Sequence, residues 1–114
     1  MSKTVQFHIL NTLSQALTEV FETGKHADRM IDKYMRVNKN WSSDDRSFFA
    51  ESVYSIVRHK RNLEFIAESE NLWEVIAAYL VTQNLVPVTK GHRNTFRIKT
   101  IYFESLNRLD NNFI

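Results

Sequence analysis

An all-α fold, arranged as a helical bundle, is the class this sequence predicts, on three observations. Apolar residues recur at helical spacing through most of the chain. Glycine and proline, the residues that punctuate turn-rich β proteins, number only two and one in 114 residues. One segment, Leu72 to Thr82, is apolar almost all the way round, the pattern of a helix surrounded by others.

The elements follow in order. Thr4 to Glu22 carries Phe7, Leu10, Leu13, Leu17, Val20 and Phe21 at helical spacing, and Gly24 stands where a C-cap glycine belongs. A second helix is predicted from about His26 to Val37, with Ala27, Met30, Ile31 and Tyr34 as its apolar stripe. Asn38 to Ser43 reads as a loop anchored by Trp41. Ser42 followed by Asp45 forms a capping-box pattern, with Asp where Glu or Gln is usual. A third helix, from about Asp44 to His59, turns Phe48, Phe49, Val53, Ile56 and Val57 inward, and Leu63, Phe65 and Ile66 mark a short further helix. The central helix holds Leu72, Trp73, Val75 and Ile76 through Val81, with Trp73 and Ile76 expected in the core. Asn84 to Asn94, with Pro87 and Gly91, reads as a loop. Phe96 to Leu109 has near-helical spacing, though Thr95 to Ile98 also fits a short extended piece. Residues 1–110 read as one domain, and 111–114 as a polar tail resembling the start of a linker.

Composition bounds the function. With 43% apolar and 12% aromatic residues the chain is globular. The absence of cysteine excludes disulfides, cysteine-ligated zinc and a thiol nucleophile in this chain. The longest apolar run, Val75 to Val81, is far short of a membrane span, and no basic-then-apolar signal opens the chain, so a cytoplasmic location and no membrane partner are the expectation.

Charge is strongly polarised. Lys25 to Arg61 holds nine Lys/Arg against five Asp/Glu, whereas Asn62 to Val86 holds four Glu and no basic residue. A basic surface gains free energy by displacing counterions from phosphates, so the asymmetry points to a polyanion. At about 100° per residue, Lys25, Arg29, Lys33 and Arg36 share one sector opposite the apolar stripe, and together they form either a phosphate-binding row or a solvated face. Arg58, Lys60 and Arg61, with His59, close the third helix, where the helix dipole accounts for one or two cations but not for the whole group. Arg46 borders Val53 and Val57 on the wheel, and with Asp45 it is expected to be a structural anchor paired with a carboxylate rather than a ligand contact. Trp41 and Tyr102 are the aromatics that could stack on bases; Phe48, Phe49, Tyr54 and Trp73 are core candidates first.

No catalytic constellation emerges. Asp44 and Asp45 are adjacent and explained by a helix N-terminus, and His8, His26, His59 and His92 lack metal-ligand spacing. Two glycines cannot build a phosphate-cradling loop or nucleophile elbow. No catalytic residue, metal or cofactor is therefore expected in this chain.

The run Ala27 to Ile66, ADRMIDKYMRVNKNWSSDDRSFFAESVYSIVRHKRNLEFI, resembles the N-terminal region of ribosomal RNA cytosine-5 methyltransferases of the RsmB/Fmu (Sun) group, which itself resembles the antitermination factor NusB. Ala27, Ile31 and Tyr34, then Asp45-Arg46, Phe48, Glu51, Val53-Tyr54 and Arg58, carry the likeness. Trp73 to Leu80 fits the central helix that follows. The resemblance implies two packed helical subdomains serving as an RNA-binding, substrate-positioning module. It also implies a methyltransferase domain, in cis or in trans, that uses S-adenosylmethionine. The expected ribosomal RNA contacts are Lys25, Arg29, Lys33, Arg36, Arg58, Lys60 and Arg61. A protein-interaction module docking a catalytic or ribosomal protein, through Glu64, Glu68, Glu70 and Glu74, is the competing reading.

Overall fold

The computed structural model of the chain describes residues 3–83 and 85–88, which form five helices and one pair of short strands. The all-α class holds: β1 (Lys3–Gln6) is followed by α1 (Phe7–Thr23), α2 (Ala27–Val37), α3 (Ser43–Arg58), α4 (Lys60–Ala67), α5 (Leu72–Thr82) and β2 (Leu85–Val88). The expected helix over Phe96 to Leu109, Gly91, His92, Tyr102 and the 111–114 tail lie outside the described residues. By internal packing the chain divides into one unit of His8–Arg58 and another of Met1–Phe7 with His59–Ile114.

In the first unit, α1 buries Leu10, Leu13 and Leu17 of the stripe read from the sequence, together with Ile9, Ser14 and Ala16, while Val20 and Phe21 of that stripe are only half-buried. Gly24 ends the helix at φ 71°, the left-handed conformation that glycine adopts without Cβ strain. Met30 and Ile31 of α2 are buried, as are Phe49, Ser52, Val53 and Ile56 of α3. Trp41 is buried from the intervening loop, its ring 5.0 Å from that of Phe49 at 54°. Tyr34 meets the same Phe49 ring edge-on at 6.3 Å. The capping box is present and reciprocal: the Asp45 N–H donates to Ser42 Oγ at 3.1 Å, and the Ser42 N–H to Asp45 Oδ2 at 3.4 Å.

In the second unit, α4 packs on α5 and buries Leu63 and Ala67. Helix α5 begins at an Asn71 cap whose side chain accepts from the N–H groups of Trp73 at 3.0 Å and Glu74 at 3.3 Å. Val75 to Leu80 are six consecutive buried residues, so α5 is covered on every side. Trp73 departs from the core expectation: it is half-buried and stacks on Phe7, centroids 5.9 Å apart and planes 2° apart. Helix α4 closes with Glu68 at φ 54°. The N–H of Ser69 donates to the Glu64 carbonyl, and that of Glu68 to the Phe65 carbonyl, which is a Schellman motif with glutamate where glycine is usual.

Two short segments correct the sequence reading. Thr4 to Gln6 is a strand rather than the first turn of α1, and Leu85–Val88 is its parallel partner rather than loop. Lys3 pairs with Leu85 and Val5 with Pro87. Thr4 and Gln6 are exposed and Val5 is buried, a period of two. Pro87 lacks an N–H and is tolerated because a two-stranded pair consists only of edges.

Candidate nucleic-acid interface

Two contacts fix how α2 lies on α3. The Tyr54 hydroxyl donates to Asp28 Oδ1, and the Tyr34 ring meets that of Phe49. Residue numbers rise along α2 as they fall along α3, so the helices are antiparallel. The start of α2 therefore sits beside the end of α3. Arg29 directly follows Asp28, Lys25 lies three residues before it, and Arg58 lies one helical turn beyond Tyr54 on the same face of α3. All three are exposed and, among the described residues, none makes an ion pair. The structure thus brings Lys25, Arg29 and Arg58 to one end of the α2–α3 pair. Lys25 precedes the helix rather than lying on it.

The rest of the expected row is differently placed. Lys33 is held by Glu19 of α1, with Nζ 3.0 Å from Oε1, and that Nζ also lies 5.2 Å from the Tyr34 ring centroid. The Tyr34 hydroxyl donates to the same carboxylate, Oε2, at 2.7 Å. These donors, Tyr34 first and Lys33 second, hold the Glu19 carboxyl below its ordinary range, with Lys33 and Lys25 adding charge attraction. Burial, and then the Glu19 bond, push the Tyr34 phenol up to about 12. Arg36 pairs with Asp32 one turn back at 2.8 Å. At 1.5 Å per residue it stands about 12 Å along the axis from Asp28. Lys33 and Arg36 are thus exposed cations already matched by carboxylates.

Lys60 and Arg61 belong to the other unit, where they open α4 instead of closing α3. This corrects the dipole account: Arg58 complements the negative C-terminus of α3, but Lys60 and Arg61 stand at the positive N-terminus of α4. That first turn has no acidic residue, and the N-cap His59 supplies no side-chain hydrogen bond. Lys60 reaches Glu64 at 3.6 Å. Arg61 is exposed and makes no ion pair among the described residues.

The expected anchors divide. Asp45 has a clear structural task in the Ser42 capping box. Arg46 is half-buried, as its wheel position implied, but among the described residues no carboxylate lies within ion-pair distance. Trp41 is buried against Phe49, which removes it from base stacking. The exposed aromatics are instead Tyr54, 50% exposed and hydrogen-bonded to Asp28, and Phe65, 82% exposed. The exposure of Tyr54 corrects its expectation as a core residue, and Phe65 lies on the expected short helix; neither carries a sequence signal for exposure beyond falling off the buried stripe.

Of the four glutamates in the acidic stretch, Glu64 pairs with Lys60 and Glu74 sits in the first turn of α5, where the dipole favours it. Among the described residues no three His, Asp or Glu side chains converge as metal ligands, and no helix is long and apolar enough to cross a membrane. Comparison with family models, with curated proteins and with solved structures gives no match.

Proposed function

We propose that the chain is an RNA-binding accessory domain that positions ribosomal RNA for a methyltransferase domain acting in cis or in trans. The observation that carries the RNA contact is the gathering of Lys25, Arg29 and Arg58 at one end of the α2–α3 pair, exposed and, among the described residues, in no ion pair, with only Lys25 attracted at longer range to Glu19. A cation left unmatched within its own chain gains most from a phosphate, because binding releases the phosphate's counterion without first breaking an internal pair. Arg61 adds an unmatched cation in the other unit. The methyltransferase context rests on the sequence resemblance. In that context this chain, which has no cysteine to attack a pyrimidine ring, supplies substrate positioning and the partner domain supplies S-adenosylmethionine and the chemistry.

Filter binding of the chain to ribosomal RNA fragments across a salt series tests the reading. Three phosphate contacts give a log–log slope of about −2 to −3, at roughly 0.7–0.9 per contact. A flat salt response would refute RNA binding through these cations and favour the protein-docking reading. Incubation with labelled S-adenosylmethionine should leave the RNA unlabelled, and labelling by the pure chain would refute the accessory role.

A further inference from the structure

We infer that Phe65 is a base-stacking platform for single-stranded RNA, with Arg61 holding the phosphate of the stacked nucleotide; this rests on the RNA-binding reading above. Phe65 is the most exposed large apolar side chain of the described residues, at 82%. Its helix is held from the opposite side by buried Leu63 and Ala67. The carbonyl of Phe65 accepts the Glu68 N–H in the Schellman motif, so the backbone beneath the ring is fixed. The ring is therefore presented on a hydrogen-bonded turn while contributing little burial to the fold.

The neighbours on its face select the ligand. Four residues back stands Arg61 and three back Asn62, both exposed. Side chains at i and i+4 are about 5–6 Å apart at Cβ, a separation that one nucleotide spans between base and phosphate. Asn62 can pair with a base edge. Arg61 is the cation on this face, so the phosphate of a stacked nucleotide is held on the Arg61 side. The polar character of these neighbours argues against a protein partner, whose docking patch would need contiguous apolar area. A lone aromatic ring beside an arginine matches instead the sequence-tolerant stacking plus phosphate contact of single-strand binders.

The test is titration with a 12-nucleotide oligouridylate and, separately, with inorganic polyphosphate. Phe65→Ala should weaken oligouridylate binding by roughly five- to a hundredfold, leave its salt slope unchanged and leave polyphosphate binding unchanged. Phe65→Trp should keep the affinity and show emission quenched by the RNA, against the Trp41 and Trp73 baseline of the parent. Arg61→Gln should instead flatten the salt slope by about 0.7. Parental affinity in Phe65→Ala, or an unquenched Phe65→Trp, overturns the platform while leaving the RNA reading standing. No RNA binding by the parent removes both. Loss of self-association in Phe65→Ala, seen by sedimentation equilibrium without change in RNA affinity, would assign the ring to contact with a second copy and also overturn the inference.

Discussion

Phe49→Ala is the substitution with which to test the frame that carries the basic end. Phe49 is fully buried on α3 and its ring receives both Trp41 from the loop and Tyr34 from α2, so one side chain joins the elements that set the α2–α3 alignment. Truncating a fully buried phenylalanine costs about 3–5 kcal/mol through lost transfer energy and the cavity left behind. The two ring contacts, each worth about 0.5–1.5 kcal/mol, place the cost toward the upper part of that range. Against a whole-domain stability of about 5–15 kcal/mol, this is a loss that urea unfolding resolves readily. Trp41 itself reports the transition, and a Trp73→Phe background removes the emission of the other unit. RNA affinity should also fall, although no phosphate contact has been deleted, because Lys25 and Arg29 are aligned with Arg58 only while α2 is seated on α3. A stability loss below about 1 kcal/mol would refute the role assigned to the ring.

The other expectations concern helix ends and pH. Ser42→Ala and Asn71→Ala each remove a side-chain cap and should each cost about 1 kcal/mol in urea unfolding; no change in either would mean that the cap bonds contribute nothing. Glu68→Gly should stabilise by about 0.5–1 kcal/mol, since a left-handed non-glycine residue costs about 1–2 kcal/mol and glycine's greater unfolded-state entropy returns part of that gain; destabilisation would show that the glutamate side chain outweighs its backbone strain. Folding raises the Tyr34 phenol to about 12, so its contribution is fully present below the unfolded value near 10 and is lost as pH rises from about 10 through 12. The stability difference between the parent and Tyr34→Phe should therefore narrow across that window, and a constant difference would contradict it. On the acid side, the lowered Glu19 carboxyl gives stability present above its ordinary value of 4.5 and lost as pH falls below it.

Local signals made most of the fold legible. The α5 limits follow from its almost wholly apolar character, interrupted only by Glu74 before the closing Thr82, and the α3 start from the Ser42–Asp45 pattern, because caps and periodicity act within a few residues of chain. The strands were not legible in the same way. Val5 between Thr4 and Gln6 fits a strand only if a partner is supplied, and that partner, Leu85–Val88, lies some 80 residues away in the sequence. Helical spacing placed Arg29, Lys33, Arg36 and Arg58 on exposed helix positions but was blind to their pairing. Nothing local shows that Glu19 reaches across to Lys33 and Tyr34, or that Tyr54 reaches Asp28. These contacts divide an apparently uniform stripe into matched and unmatched cations. Likewise the break at His59, which gives Lys60 and Arg61 to a new helix, carries no glycine or proline to announce it.

The division between matched and unmatched cations gives the most direct measurement. Salt titrations of ribosomal RNA binding should be compared for the parent, a Lys25→Gln/Arg29→Gln/Arg58→Gln variant and a Lys33→Gln/Arg36→Gln variant. The triple variant should flatten the log–log slope by about 2–3, one increment for each unmatched cation lost. The double variant should flatten it by less than about 1, because Glu19 and Asp32 already occupy its cations. A slope unchanged in the triple variant, or reduced as much in the double, would contradict RNA binding at the shared end of α2 and α3.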